Sequence, residues 1–185
     1  DLERAEVVDQ SRYADLPPLP ETRDEVLAIA RMLRANADQD VVLGDKATRA
    51  SVLQASQQGA LQQRQVVVFA THGLLPGDLP RLEQPALAMA ATSEAGASPL
   101  LTLNDVLSLK LNADWTVLSA CNTAGADGRN EEALSGLARG FFYAGSRSLL
   151  VTHWSVESES AMLLTTQTFD AYKRDPTMTR AQALR

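Results

Sequence analysis

The chain holds one cysteine, Cys121, and two histidines, His72 and His153, and all three stand just past the ends of apolar runs. The runs read Phe69-Ala70-Thr71-His72-Gly73, Leu118-Ser119-Ala120-Cys121-Asn122 and Leu150-Val151-Thr152-His153-Trp154. A Cys–His pair suits nucleophilic catalysis: the thiolate attacks, and a nearby imidazole lowers the thiol's pKa or takes its proton. Gly73, directly after one histidine, leaves its backbone N–H open to a reacting carbonyl oxygen. The N–H of Cys121 is the natural second donor of such an oxyanion hole. A bland reading stands beside this one. A free cysteine after an apolar strand is commonly a buried, inert small hydrophobe, and a histidine at a strand end is commonly structural. His153 keeps that structural reading and is also a rival base for Cys121. No metal site is expected, because one Cys and two His lack the close ligand spacing and the four donors of structural zinc.

For these side chains to meet, the runs must be neighbouring parallel strands, since function in such sheets sits beyond the strands' carboxyl ends. The pattern supports that. Residues 65–70 (Gln-Val-Val-Val-Phe-Ala), 115–120 (Trp-Thr-Val-Leu-Ser-Ala) and 148–152 (Ser-Leu-Leu-Val-Thr) are near-continuous apolar runs, as in strands covered on both faces. Helical stretches alternate with them. Val26, Ile29, Ala30 and Leu33 fall on one helical stripe, with Glu21, Arg23, Asp24, Glu25 and Arg31 off it, until residues 36–40 break the pattern. Val41-Val42-Leu43 reads as a short strand, and residues 47–58 as a helix capped near Thr48. Ala86 to Ala90 reads as a further strand. Thr102 caps a short helix from Leu103 to Leu109, with Asp105 favouring its N-terminus. Residues 131–143 form a helix burying Leu134, Leu137, Ala138 and Phe141. Residues 157–173 form a long one burying Ala161, Leu164, Thr168 and Tyr172, before Asp175-Pro176 and a last helix started by Thr177 or Thr179. Gly136 and Gly140, four apart, read as close helix–sheet packing and not as a phosphate loop. Alternating strands and helices argue an α/β fold with a mostly parallel sheet and helices on both faces.

The 185 residues suffice for one domain with a core of its own. With 17 basic and 23 acidic residues the net charge is −6. No nucleic-acid partner is expected, nor an anionic membrane surface. No apolar run reaches the roughly 18 residues of a membrane-spanning helix. A single cysteine forms no internal disulfide, which excludes a secreted disulfide scaffold and leaves the compartment open, the cytoplasm slightly favoured. Residues 1–20, charged and then proline-rich (Leu16-Pro17-Pro18-Leu19-Pro20), read as an extended lead-in or linker, and residues 21–185 as the functional domain. Without an initiator Met, and ending inside a helix, the chain reads as part of a longer protein.

Five motifs occur in a familiar order: Ala70-Thr71-His72-Gly73; Leu101-Thr102-Leu103-Asn104-Asp105-Val106; Val117-Leu118-Ser119-Ala120-Cys121-Asn122-Thr123; Gly136-Leu137-Ala138-Arg139-Gly140-Phe141-Phe142-Tyr143-Ala144-Gly145; and Trp154-Ser155-Val156-Glu157. Together they resemble the CHAT domain, a bacterial-type member of the caspase-like cysteine peptidases related to separase. Cys121 follows His72 by 49 positions, close to the spacing of about 50 seen in caspase-like enzymes, although the caspase cysteine pentapeptide is absent. The resemblance implies a caspase-like three-layer sandwich, with His72 as general base and Cys121 as nucleophile. Gly73 and Cys121 then form the oxyanion hole, and peptide bonds are cleaved through an acyl-enzyme. It implies no cofactor, a protein or peptide substrate, and an N-terminal repeat region of TPR type in the full-length protein that senses a partner and restrains activity. The first specificity pocket falls to Ser119, His153, Trp154, Glu157 and Glu159. In relatives that cut after basic residues, acidic groups follow the Trp; here Ser158 stands where Asp is frequent, and His153 where an apolar residue is usual. The family's final strand is not evident before Arg185. Residues 125–132, after the nucleophile, would shape the substrate groove on activation. Two other functions compete: a catalytically silent interaction module on the same fold, and an unrelated small-molecule hydrolase with a closed apolar pocket.

Overall fold

The structure is a computed structural model that describes residues 13–94, 96–119, 130–151, 158–175 and 177–184. The chain forms two compact bodies, one of residues up to Pro17 with Gly44–Ser155, the other of Pro18–Leu43 with Val156–Arg185.

In the first body, three strands form a parallel sheet: β1 (Val66–Ala70), β5 (Trp115–Ser119) and β6 (Leu149–Val151), in the order β1-β5-β6. Three shorter strands, β2 (Gly73–Leu74), β3 (Ala86–Ala88) and β4 (Leu100–Thr102), form an antiparallel sheet in the order β2-β3-β4. A mixed α/β fold with a parallel sheet therefore stands. All five residues of β5 are buried, which means that both its faces are covered. β1 differs from expectation: Val67 and Phe69 are buried while Val66, Val68 and Ala70 are half-buried, and β6 is half-buried throughout. Each borders β5 on one side, with no further strand paired outside it among the described residues.

Helix α3 (Arg49–Gln57) starts at Thr48 with a capping box closed by Ser51, and α4 (Leu103–Ser108) starts at Thr102 with one closed by Asp105. Both caps satisfy backbone donors that a helix start leaves open. Helix α5 (Asn130–Tyr143) buries Leu137 and Phe141 completely, and the Phe141 ring lies 5.5 Å from that of Phe69 on β1. These residues join Val106, Leu118 and Leu101 in one core. The glycine pair in α5 packs differently from expectation. A Cβ on Gly140 would sit 2.8 Å from Leu103 and 3.2 Å from Val106, so its close neighbour is helix α4, not the sheet, and one on Gly136 would meet nothing within 4 Å among the described residues. A second cluster of Leu74, Leu79, Leu82, Ala86, Ala88 and Leu100 lies on the antiparallel sheet, with Tyr13 and Leu16 against it.

In the second body, α1 (Glu21–Leu33) packs along α6 (Ser158–Arg174), with the short helices α2 (Ala37–Asp40) and α7 (Arg180–Ala183) beside them. Four expectations fail here, in whole or in part. Glu25 is buried with Ile29 and Ala30, while Leu33 is exposed, so the packed stripe is rotated from the apolar one. In α6 the buried residues among those described are Thr165, Thr168 and Phe169: Thr168 is buried as expected, Leu164 is 45 % exposed, Tyr172 is half-buried, and the side chain of Ala161 lies outside the described residues. The Thr168 hydroxyl is accommodated by donating to the Leu164 carbonyl at 2.7 Å. Val41, Val42 and Leu43 form no strand: Val42 is 55 % exposed, and among the described residues no strand pairs with them. Residues 36–40 carry helix α2, capped by the Asn36 side chain, where a break was expected. No helix among the described residues is long and apolar enough to cross a membrane.

Candidate active site

His72 lies where the chain crosses from one sheet to the other. β1 and β5 run in register, Ala70 opposite Ser119, and one residue later the Thr71 N–H donates to the Ser119 carbonyl at 3.2 Å. At the next residue the allegiance changes, and the His72 carbonyl accepts from the Ala88 N–H of β3 at 2.9 Å. The Thr71 hydroxyl donates to the Ala88 carbonyl. The backbone before and at His72 is thus held from both sheets.

His72 is 7 % exposed. Its Nε2 lies 2.7 Å from the carbonyl oxygen of Pro17. A carbonyl only accepts, so Nε2 carries the proton and donates. In the neutral ring Nδ1 is then the unprotonated nitrogen, with its lone pair available. Nδ1 is buried and has no hydrogen-bond partner among the described residues. A buried unpartnered acceptor carries a desolvation cost of about 1–3 kcal/mol, so one left open calls for a reason.

Gly73 begins β2 and pairs antiparallel with Leu87. Because His72 and Ala88 form a hydrogen-bonded pair, the neighbouring pair of Gly73 and Leu87 is of the non-hydrogen-bonded kind. The Gly73 N–H therefore points away from β3, unspent on the ladder. Ser119, at the end of β5, is buried. Of the other residues singled out in the sequence, Cys121, His153, Trp154 and Glu157 lie outside the described residues. So do the side chain of Glu159 and residues 125–129 of the expected activation segment. Among the described residues no group of His, Cys, Asp and Glu is placed to hold a metal.

One member of the site escaped the sequence reading: the Pro17 carbonyl. Residues 13–17 are not merely extended, since the Leu16 N–H closes a turn on the Tyr13 carbonyl at 3.3 Å. A backbone acceptor has no residue-type signature, and the proline-rich composition around it signals only stiffness.

The family model of the CHAT domain matches residues 3–185. The chain belongs to the CHAT domain family. That match spans both bodies and every motif on which the resemblance rested, and it relates the chain to caspase-like cysteine peptidases. No curated protein matches this CHAT domain.

Proposed function

We propose that this CHAT domain is a cysteine endopeptidase in which His72 is the general base and Cys121 the nucleophile. The supporting observation is the state of His72: buried at the carboxyl end of β1, with Nε2 committed to Pro17 and Nδ1 open. The register adds to it. Ala70 and Ser119 are opposite each other on adjacent parallel strands, and His72 and Cys121 are each two residues further along. Two residues span at most about 7 Å, so the reading asks for no more than that reach between each side chain's residue and the carboxyl end of its strand.

Nδ1 takes the thiol proton, and the thiolate attacks the scissile carbonyl carbon. The oxyanion of the tetrahedral intermediate accepts from the N–H groups of Gly73 and Cys121. Collapse breaks the C–N bond, and the imidazolium returns its proton to the leaving amine. Water, deprotonated by the same nitrogen, then hydrolyses the thioester. The fold around this chemistry is a caspase-like three-layer sandwich, a reading favoured by the burial of both faces of β5. Ser119, His153, Trp154, Glu157 and Glu159 line the first pocket, whose carboxylates favour an Arg or Lys before the cut. An N-terminal repeat region of TPR type restrains the activity until it meets its partner.

Labelling by an electrophilic thiol probe and cleavage of a peptide library test this reading. Cys121→Ala abolishes both, and His72→Ala lowers the rate by about 10²–10⁴-fold, the usual worth of a general base. His153→Ala leaves the labelling rate within a few-fold, since in this reading its ring lines the pocket and does not activate the thiol. Equal labelling of the wild type and His72→Ala would sink the assignment. Partner binding without cleavage, unchanged in Cys121→Ala, would make the domain a silent interaction module.

A further inference from the structure

We propose that Tyr13 is a positioning residue for His72, acting through the segment 13–17 that presents the Pro17 carbonyl to the imidazole. The inference rests on the reading of His72 as the base. The segment is fixed at both ends. At one end the Tyr13 hydroxyl donates to the carbonyl of Met89. Between the ends, Tyr13 and Leu16 pack on the apolar cluster of the antiparallel sheet, and the turn closed by the Leu16 N–H sets the spacing. At the other end stands Pro17, followed by Pro18. A residue before proline is confined to extended backbone, so the direction of the Pro17 carbonyl is restricted once Leu16 is seated.

The choice of Met89 as acceptor ties this segment to the histidine. Met89 follows Ala88, whose N–H holds the His72 carbonyl and whose carbonyl accepts from Thr71. The segment and the histidine backbone are therefore pinned to two consecutive residues, and the Pro17–Nε2 bond spans a closed circuit of hydrogen bonds. Burial pushes the ionisation of the Tyr13 phenol upwards, so the hydroxyl remains a donor throughout the neutral range. Opening the circuit at Tyr13 loosens the Pro17 carbonyl. The imidazole then loses its bias for the proton on Nε2, and a share of molecules carries it on Nδ1, where it cannot accept from a thiol.

Nitrogen-15 spectra of the histidine-labelled chain at pH 8.5 read this directly. The chain has two imidazoles, and His72→Gln assigns the signals of His72 by their loss. In the wild type, His72 shows one protonated Nε2 and one unprotonated Nδ1. In Tyr13→Phe, which keeps the ring in its cluster, the two signals move towards each other. Val106→Ala, a core deletion away from the segment, leaves them at their wild-type positions even where it lowers the melting temperature as much. Where the wild type cleaves peptide, Tyr13→Phe lowers kcat several-fold with KM unchanged. An unaltered His72 pattern in Tyr13→Phe overturns the proposal, as does equal averaging in Val106→Ala. A wild type with no peptidase activity would instead overturn the role of His72 as base, while the tautomer measurement still decides the role of Tyr13.

Discussion

Asp105 shows how much one carboxylate can hold. It accepts from the Thr102 N–H at 2.9 Å, closing the cap of α4, and takes a two-pronged contact from Arg49, Nε to Oδ2 at 2.8 Å and a terminal nitrogen to Oδ1 at 2.6 Å. Burial works to raise its pKa, but the bonds from Arg49 and Thr102 outweigh it and hold the carboxyl below its ordinary value. Its unfolded-state pKa is about 3.9, and the folded value is lower. The stabilisation is therefore complete above about pH 4 and is lost as the pH falls through the folded value. Asp105→Asn costs about 1–2 kcal/mol at pH 7, a figure kept low because Arg49 is partly exposed. In denaturant titrations the gap from wild type closes below about pH 4. Thr116 behaves in the opposite sense. It is fully buried in β5, and its hydroxyl has no partner among the described residues. Thr116→Val removes an unpaired donor and keeps the shape, so it raises stability by about 1 kcal/mol in the same titration.

Joints between elements are the second scale. α5 passes into β6 through Gly145, whose φ is +111° and whose added Cβ would lie 2.3 Å from the Leu111 carbonyl oxygen. That neighbour is backbone and is itself fixed, since the Leu111 N–H donates to the Ala144 carbonyl at 2.8 Å. No side chain has room there, and the φ is foreign to L-residues. Gly145→Ala therefore destabilises by more than about 3 kcal/mol, or prevents folding, as read by the melting temperature. Gly140 is gentler: its close neighbours are side-chain carbons of Leu103 and Val106, and the first of these can swing away. Gly140→Ala costs less than Gly145→Ala in the same assay. On the face of α5 towards β1, Phe141→Ala removes a fully buried ring against Phe69 and costs about 3–5 kcal/mol.

Across the molecule, stability is distributed unevenly, and burial shows where. β5 is buried at every residue and hydrogen-bonded to a strand on each side, while α2 has no buried residue. Hydrogen exchange followed by mass spectrometry is expected to find the slowest amides in β5, since its bonds open only when the core does. The amides of α2 exchange fastest among the helices. Protection in α2 matching that in β5 would contradict this ranking. His72 follows β1 and is stitched to Ser119 and Ala88 through Thr71 and its own carbonyl. The candidate base thus rests on the slow-exchanging part of the molecule, as a pre-organised catalytic group requires.

Those features that depend on local chain chemistry are the ones that the amino-acid order settles unaided. The apolar runs at β1 and β5, the caps at Thr48 and Thr102, the helix with Leu137 and Phe141, and the family motifs can each be read within a few turns of chain, because propensity, capping and periodicity act over that distance. Features that depend on what lies opposite cannot be read in this way. Val41-Val42-Leu43 has the composition of a strand and pairs with none among the described residues. Glu25 sits off its helix's apolar stripe and is buried, because the packing of α1 on α6 selects a different face. Leu164 is exposed while Thr165 is buried, for the same reason. At the candidate site the histidine is legible by type and position, whereas its partner Pro17 is 55 residues away and contributes only a main-chain oxygen. A backbone carbonyl looks alike at every residue, so tertiary structure alone decides which one a ring nitrogen meets.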